Sequence, residues 1–347
     1  MPKMQDGASP TIYRKIAGLW AVPFRPFVRI YLRAAKWVRT GVWRRLRRFW
    51  RLVTADGLFQ ESLGSLGRLA LRFTSPESRT LAIDELLNEP VVVDTPNGPI
   101  RFLAHGRSCF GRAKTLMTKE PESMKWIDRM EPGSIFWDIG GNIGNLALYA
   151  ARRESIKVWS FEPAAVNYYN LVANCELNEC GEYVTCLQLG FGLRTEIARL
   201  NVSQLMSGHS FSFKDQDRSE KRHQRNMEIS AWQAVQVWSV DDFIGHSGVP
   251  CPHYIKIDVP GLSFDILRGA SNTLSGEDVQ EIQIKTSSSP EQKKGRLIVQ
   301  FLEGHGFQLA YRNFKQRKRG GVVSTVQRDL VFFRAGHGAS SINGTVK

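Results

Sequence analysis

The 347-residue chain is poor in cysteine, and its five copies are scattered at Cys109, Cys175, Cys180, Cys186 and Cys251. An odd number with no C-x-x-C pair excludes a disulfide framework and a zinc ribbon. Reduced thiols in a cytoplasmic protein, with no metal site, are the expectation. Long apolar runs are also missing. The longest uncharged stretch near the N-terminus, Ile16–Phe24, has nine residues and includes Pro23, against the ~18–20 needed to span a bilayer. That run has no small-residue cleavage site and is followed by arginines, which argues against a signal peptide. Internal repeats and long low-complexity tracts are absent.

Acids are nearly absent from one region. Residues 1–55 hold 13 Lys/Arg and a single acid, Asp6, while the rest of the chain holds 34 Lys/Arg against 32 acids. The net charge of +14 therefore belongs almost entirely to an N-terminal arm. Residues 30–53 read IYLRAAKWVRTGVWRRLRRFWRLV. At helical spacing Leu32, Ala35, Val38, Val42, Leu46, Phe49, Trp50 and Val53 share one arc, with Arg33, Lys36, Arg44, Arg47, Arg48 and Arg51 opposite. A basic face against a Trp/Leu face fits an anionic membrane surface, at about 1 kcal/mol per basic residue. Packing of the apolar face within the protein is the competing reading. Nucleic acid ranks third, because the remaining basic run, RNFKQRKRGG at 312–321, reads as a solvated hairpin tip.

What is present centres on residues 134–163, SIFWDIGGNIGNLALYAARRESIKVWSFEP. An apolar run ends in Asp138, a glycine-rich turn and a helical pattern follow, and a second apolar run ends in Glu162. This is a β-α-β unit with an acid closing each strand, at the edge where open α/β sheets bind ligands. The turn, Asp138-Ile139-Gly140-Gly141-Asn142-Ile143-Gly144, matches neither G-x-G-x-x-G nor a P-loop. Asp138 and Asn142 stand where those motifs cradle phosphate. A ligand with a positive charge and a ribose diol, but no phosphate, suits the turn better, and S-adenosylmethionine is such a ligand.

WDIGGNIGNLALYAA resembles motif I of class I methyltransferases. Together with TKEPESMKWID at 118–128, FEP at 161–163 and IKIDVPG at 255–261, it resembles the FkbM-type methyltransferases, from roughly Val91 to Thr286. The resemblance implies a Rossmann-like α/β fold: a doubly wound, mostly parallel sheet with an antiparallel last strand. It also implies S-adenosylmethionine as methyl donor and a hydroxyl of a sugar, glycan or other secondary metabolite as acceptor. Asp138 is expected to face the donor's ammonium, with Gly140, Asn142 and Gly144 as the wall beneath it. Glu162 is expected to receive the ribose hydroxyls, Leu189 and Gly190 to line the adenine pocket, and Glu120 to reach the methionine end or cap a surface helix. Asp258, closing the fourth strand, is the first candidate to orient or deprotonate the acceptor hydroxyl. His209, in SGHSF, is the second. Two positions depart from the family pattern: Pro260 replaces the glutamate of Asp-Val-Glu-Gly, and Gln283 and Lys285 stand where an acid is common. They motivate an alternative, a catalytically impaired donor-binding scaffold at the membrane.

The chain reads as a basic helical arm (1–54), a helical connector (55–90), a methyltransferase domain (91–335) and a disordered tail (336–347). VVVDTPNGPIRFLA predicts a hairpin turning at Pro96-Asn97-Gly98. Strands are expected near 134–139, 156–161, 183–189, 253–259 and 279–285, with helices near 144–153, 164–178, 263–274 and 290–304. GFQLAYR and RDLVFFR predict a closing antiparallel pair. The polar, β-rich insertion at 195–240 is the natural place for substrate recognition. A cytoplasmic enzyme, with its arm on the inner face of the membrane, is the expected setting; nothing in the sequence sets an oligomeric state.

Overall fold

The computed structural model describes residues 75–77, 89–103, 105–153, 155–202, 212–213, 231–259, 261–286, 293–319 and 322–336. The basic arm, most of the connector, nearly all of the tail, His209 and Pro260 lie outside them. The chain divides into two compact units, 1–82 and 83–347, and all the described residues except 75–77 belong to the second.

The elements of this second unit run β1 (Pro90–Val93), β2 (Ile100–Leu103), α1 (Gly106–Lys114), α2 (Leu116–Lys119), α3 (Pro121–Asp128), β3 (Ile135–Ile139), α4 (Asn145–Ala151), β4 (Lys157–Phe161), α5 (Ala165–Leu177), β5 (Val184–Leu187), β6 (Gly190–Phe191), β7 (Glu196–Val202), β8 (Ser212–Phe213), β9 (Ala231–Trp238), α6 (Val240–Ser247), β10 (Tyr254–Ile257), α7 (Ser263–Arg268), α8 (Ser271–Ser275), β11 (Glu281–Thr286), α9 (Lys293–Gly304), β12 (Phe307–Arg319) and β13 (Val322–Arg334). Among the described residues, seven strands form the main sheet in the order β12-β13-β11-β10-β3-β4-β5. Pairings from β11 through β5 are parallel, and β13 runs antiparallel to both its neighbours. This is the doubly wound sheet with a reversed last strand.

The central strands are buried on both faces, which explains their near-continuous apolar runs. On one face Phe136, Val158, Val184, Tyr254 and Val331 pack in a core with residues of α3, α4 and α5. On the other, Trp137, Phe161, Ile255, Ile257, Ile282 and Ile284 pack with residues of α6, α7 and α9. Local signals fix the ends of the helices. Pro121 opens α3, where its missing N–H costs nothing. Ser239 caps α6 by accepting from the Asp242 N–H at 3.1 Å. Gly248 ends it at φ +67°, a conformation glycine adopts without strain. The β1–β2 hairpin turns where Pro96-Asn97-Gly98 predicts, with Gly98 at φ +105°. Asn178 and Asn174 of the α5 end accept the backbone N–H groups of Arg101 and Leu103, so β2 is tied to the helix rather than left as an open edge.

Two expectations need adjusting. The helix expected over 263–274 is two short helices broken at Gly269. A Cβ at 269 would stand 2.2 Å from the Gly192 carbonyl oxygen, so the chain yields there to the strand that follows β6. The strand expected over 183–189 divides into β5 and β6, and β6 leaves the main sheet for a four-stranded one of order β6-β9-β7-β8. The β-rich insertion thus builds a sheet of its own.

Candidate active site

The turn after β3 is held by its neighbours. The N–H groups of Gly140 and Gly141 donate to the Phe161 carbonyl at 2.9 and 3.0 Å. The Asn142 N–H donates to Glu162 Oε2 at 2.9 Å. Gly140, Asn142 and Gly144 have φ of +90°, +54° and +91°, so the turn needs residues that tolerate the left-handed region. At Gly141 the demand is space: a Cβ would lie 2.1 Å from Ser160 Oγ.

A cleft opens over this turn, with about 480 Å³ of empty space counting its mouth, within the ~300–1,000 Å³ typical of small-molecule sites. Asp138, Gly140 and Asn142 line it together with Glu120 and Asp258, and Arg112 and Lys119 also line it. The structure thus brings five of the expected residues to one cleft. Glu162 stands just behind it. Its carboxylate accepts from Asn142 N, from Ala164 N at 3.0 Å and from Asn167 Nδ2 at 3.4 Å. A carboxylate has about four acceptor directions, so most of Glu162 is committed to the turn. Burial pushes its pKa up to about 6, against the pull of those N–H donors. Leu189 is buried among Phe161, Phe191 and other core residues, Gly190 belongs to β6, and Gly144 precedes α4, where a Cβ would crowd Leu171. None of these three is among the cleft's lining residues.

The cleft floor is a buried polar row. Register aligns Ser160, Asp138, Lys256 and Gln283 across β4, β3, β10 and β11, and all four are buried. Asp138 Oδ2, Lys256 Nζ, Ser160 Oγ and both amide atoms of Gln283 have no hydrogen-bond partner among the described residues. Such groups are costly unless something satisfies them. Burial raises Asp138 to about 7, opposed by the Lys256 ammonium and reinforced by the charges of Asp258 and Glu120.

One step toward the strand ends lies a charge cluster that sequence reasoning did not foresee. Lys285 Nζ donates to Glu120 Oε1 at 2.6 Å and to Asp258 Oδ2 at 2.5 Å, and Lys285 also pairs in register with Asp329. Burial raises the Asp258 pKa, but Lys285 and Lys256 more than reverse this and hold the carboxyl well below its ordinary range. Burial likewise opposes and Lys285 outweighs at Glu120, which ends lowered. Burial would lower Lys285, yet Asp258 and Glu120 drive it above the usual lysine value. A carboxylate held this low is a weak proton acceptor. Asp258 is therefore built to orient by hydrogen bonding rather than to take a proton.

The sequence pattern described as Methyltransferase FkbM domain matches residues 138–309, from the end of β3 to the start of β12. The chain belongs to the FkbM methyltransferases. Class I methyltransferases of this type use S-adenosylmethionine. A similar protein is the hexuronic acid methyltransferase AglP of Haloferax volcanii, 21% identical over 206 residues that cover 59% of this chain and 78% of that protein. Among solved structures, the methyltransferase FkbM of Methylobacillus flagellatus KT is similar at 16% identity and a TM-score of 0.37, covering 58% of this chain and 44% of that one. This chain thus spans less than half the length of that structure. The TrmK protein of M. capricolum, solved with S-adenosyl-homocysteine, is similar at 12% identity and a TM-score of 0.38, covering 62% and 68%.

The FkbM methyltransferase turn fits its donor on one observation above all. Asp138 presents a carboxylate oxygen that is buried, without a partner, in a residue that lines the cleft. An ammonium group would satisfy it.

Proposed function

We propose that this FkbM-family protein transfers a methyl group from S-adenosylmethionine to a hydroxyl of a sugar or glycan. The reading rests on the unpartnered Asp138 carboxylate in the cleft. When bound, the donor supplies a methyl on a positively charged sulfur, which an acceptor oxygen can attack as the hydroxyl proton is lost. Asp138 takes the donor's ammonium, and Gly140 and Asn142 let the backbone come close to it. Glu162 holds the turn and has about one acceptor direction left for a ribose hydroxyl. Asp258, fixed by Lys285, accepts a hydrogen bond from the acceptor hydroxyl and aims its lone pair. Orientation of this kind lowers the barrier by removing freedom before the reaction. The name of the AglP relative supports a sugar acceptor.

Thermal shift with S-adenosylmethionine and S-adenosylhomocysteine, followed by methyl transfer to a panel of glycans, tests this reading. Stabilisation by both ligands and label in a sugar are expected. No shift with either ligand refutes it. A shift with no transfer to any glycan favours the impaired scaffold instead. The basic arm is proposed to hold the enzyme at an anionic membrane. Co-sedimentation with anionic vesicles should fall in a chain beginning at Ala55, and equal binding by the two forms removes that role. Among the described residues no helix is long and apolar enough to cross a membrane.

A further inference from the structure

The acids of the cleft have cations of their own. Lys285 is shared by Glu120 and Asp258, and the Lys256 ammonium acts on Asp138. Two more cations line the cleft from the other side, Arg112 on α1 and Lys119 at the end of α2. Lys119 is held below the usual lysine value, first by burial and then by the Arg112 charge, and the nearby carboxylates do not reverse this. The methyl donor makes the imbalance worse. Its ammonium and sulfonium outnumber its one carboxylate, so its arrival adds a positive charge to the cleft.

A second observation, from the far end of the chain, points the same way. β11 pairs with β13 only over Arg328–Phe333, ending at Thr286 opposite Arg328. The β12–β13 ribbon continues past that point, with Lys315–Arg319 paired to Val322–Gln327. Five residues at ~3.3 Å each carry the ribbon roughly 17 Å beyond the ligand-binding edge of β11. Four of the five residues at 315–319 are Lys or Arg, and the facing segment 322–327 has no charged residue. A single-sign field beside a cleft raises the local concentration of ligands of the opposite sign.

We infer that the acceptor is an anionic sugar, whose carboxylate is received by Arg112 and Lys119 while its hydroxyl meets Asp258. This rests on the cleft being the methyl-donor site, and it adds the substrate's charge and the residues that select it. An acceptor carboxylate balances the charge the donor brings in. Loss of the sulfonium charge on methyl transfer then loosens the anionic product. The basic ribbon draws the substrate in over a longer range, and so acts on the rate of encounter.

The test uses the full chain with S-adenosylhomocysteine bound. The probes are a trisaccharide of galacturonic acid and its carboxyl-reduced counterpart, titrated by calorimetry at low and high salt. The acidic sugar should bind about tenfold or more tighter, as expected for a hydrogen-bonded charge, and its advantage should shrink with salt. Arg112→Gln and Lys119→Gln should each reduce that preference severalfold. Lys315→Gln with Arg317→Gln should weaken its salt dependence.

Equal binding of the two sugars, or binding of neither, by a protein that still takes up S-adenosylhomocysteine overturns the inference and leaves the donor site standing. A preference that survives in Arg112→Gln and Lys119→Gln, while S-adenosylmethionine affinity collapses, means the pair serves the donor's own carboxylate, and it too overturns the inference. Failure of the wild-type chain to bind S-adenosylhomocysteine sinks the underlying reading as well.

Discussion

Replacing Lys285 by Met should expose what the cluster at the strand ends contributes. The lysine lies between Glu120 and Asp258 at 2.6 and 2.5 Å, with side-chain exposures of 6% for Lys285, 16% for Glu120 and 29% for Asp258. Methionine keeps the length of the stem and removes the charge. Two carboxylates then face each other with no shared cation, and breaking a buried ion pair from one side costs about 3–5 kcal/mol. The residual exposure of Asp258 lets water screen part of this, so about 3 kcal/mol is expected. For a domain of this size that corresponds to a Tm lower by roughly 6–12 °C. The sign of the pH dependence is the sharper test. In the native protein Asp258 is depressed, so it contributes stability above its unfolded pKa of ~3.9 and loses it only in stronger acid. Without Lys285, burial raises both carboxyls above their ordinary values, and the variant recovers as the pH falls and they protonate. Urea denaturation at pH 8, 6 and 4 should therefore give a gap between native and variant that is widest at pH 8 and narrows toward pH 4. Adding Glu120→Gln and Asp258→Asn should restore much of the loss. A gap under ~1 kcal/mol at pH 8, or one that stays constant with pH, would refute the argument that the ammonium neutralises buried charge.

On the donor side, affinity for S-adenosylmethionine should decline as the pH falls below about 7, because Asp138, raised to about 7, must be ionised to meet an ammonium. It should decline more steeply below about 6, where Glu162 also takes up a proton. Calorimetry in two buffers of different ionisation heat should detect proton release near pH 6.5, and a Kd constant from pH 5.5 to 8 contradicts the assignment. Glu162→Gln places an amide against N–H donors that now face a carboxylate. It should weaken S-adenosylmethionine binding by about 10–100-fold and cost stability of about 1–3 kcal/mol; unchanged binding by calorimetry removes Glu162 from the site. Gly141→Ala drives a Cβ toward Ser160 Oγ, while a Cβ at Gly181 meets nothing within 4 Å. The first should lower stability by about 1–3 kcal/mol and the second by well under 1 kcal/mol, as read from thermal melts.

The parts of this protein that are local in sequence were legible there. The β-α-β unit, the hairpin at Pro96-Asn97-Gly98 and the closing antiparallel pair are written in apolar runs and turn residues a few positions apart. The parts that depend on register were not. Lys285 reads as an intruder where an acid is common. Only the pairing of β11 with β10, and the placement of Glu120 at the start of α3, reveal it as the partner of two acids 165 and 27 residues away. Lys256 gave a faint signal, a charge inside the apolar run Ile255-Lys256-Ile257. Arg112 and Lys119 gave none, since no motif marks them and only the packing of α1 and α2 brings them to the cleft. The break at Gly269 was hidden for the same reason, because its cause is the backbone at Gly192, far away in sequence.

That contact between Gly269 and Gly192 bears on how such a protein can change over time. Gly269 has φ −74°, which any residue can adopt, so conformational freedom is not what it provides there. Its value is the missing side chain, which lets the root of the inserted sheet press against the body of the domain. The Asp241 N–H also donates to the Gly269 carbonyl at 3.0 Å, and the Asp241 carboxylate receives the N–H groups of Asn272 and Thr273. The insert is therefore welded at its base by contacts that leave its far loops untouched. Those loops can be lengthened, shortened or rewritten for a different acceptor while the donor site keeps its shape. The cost of innovation is confined to the seam, where neither glycine can be exchanged alone.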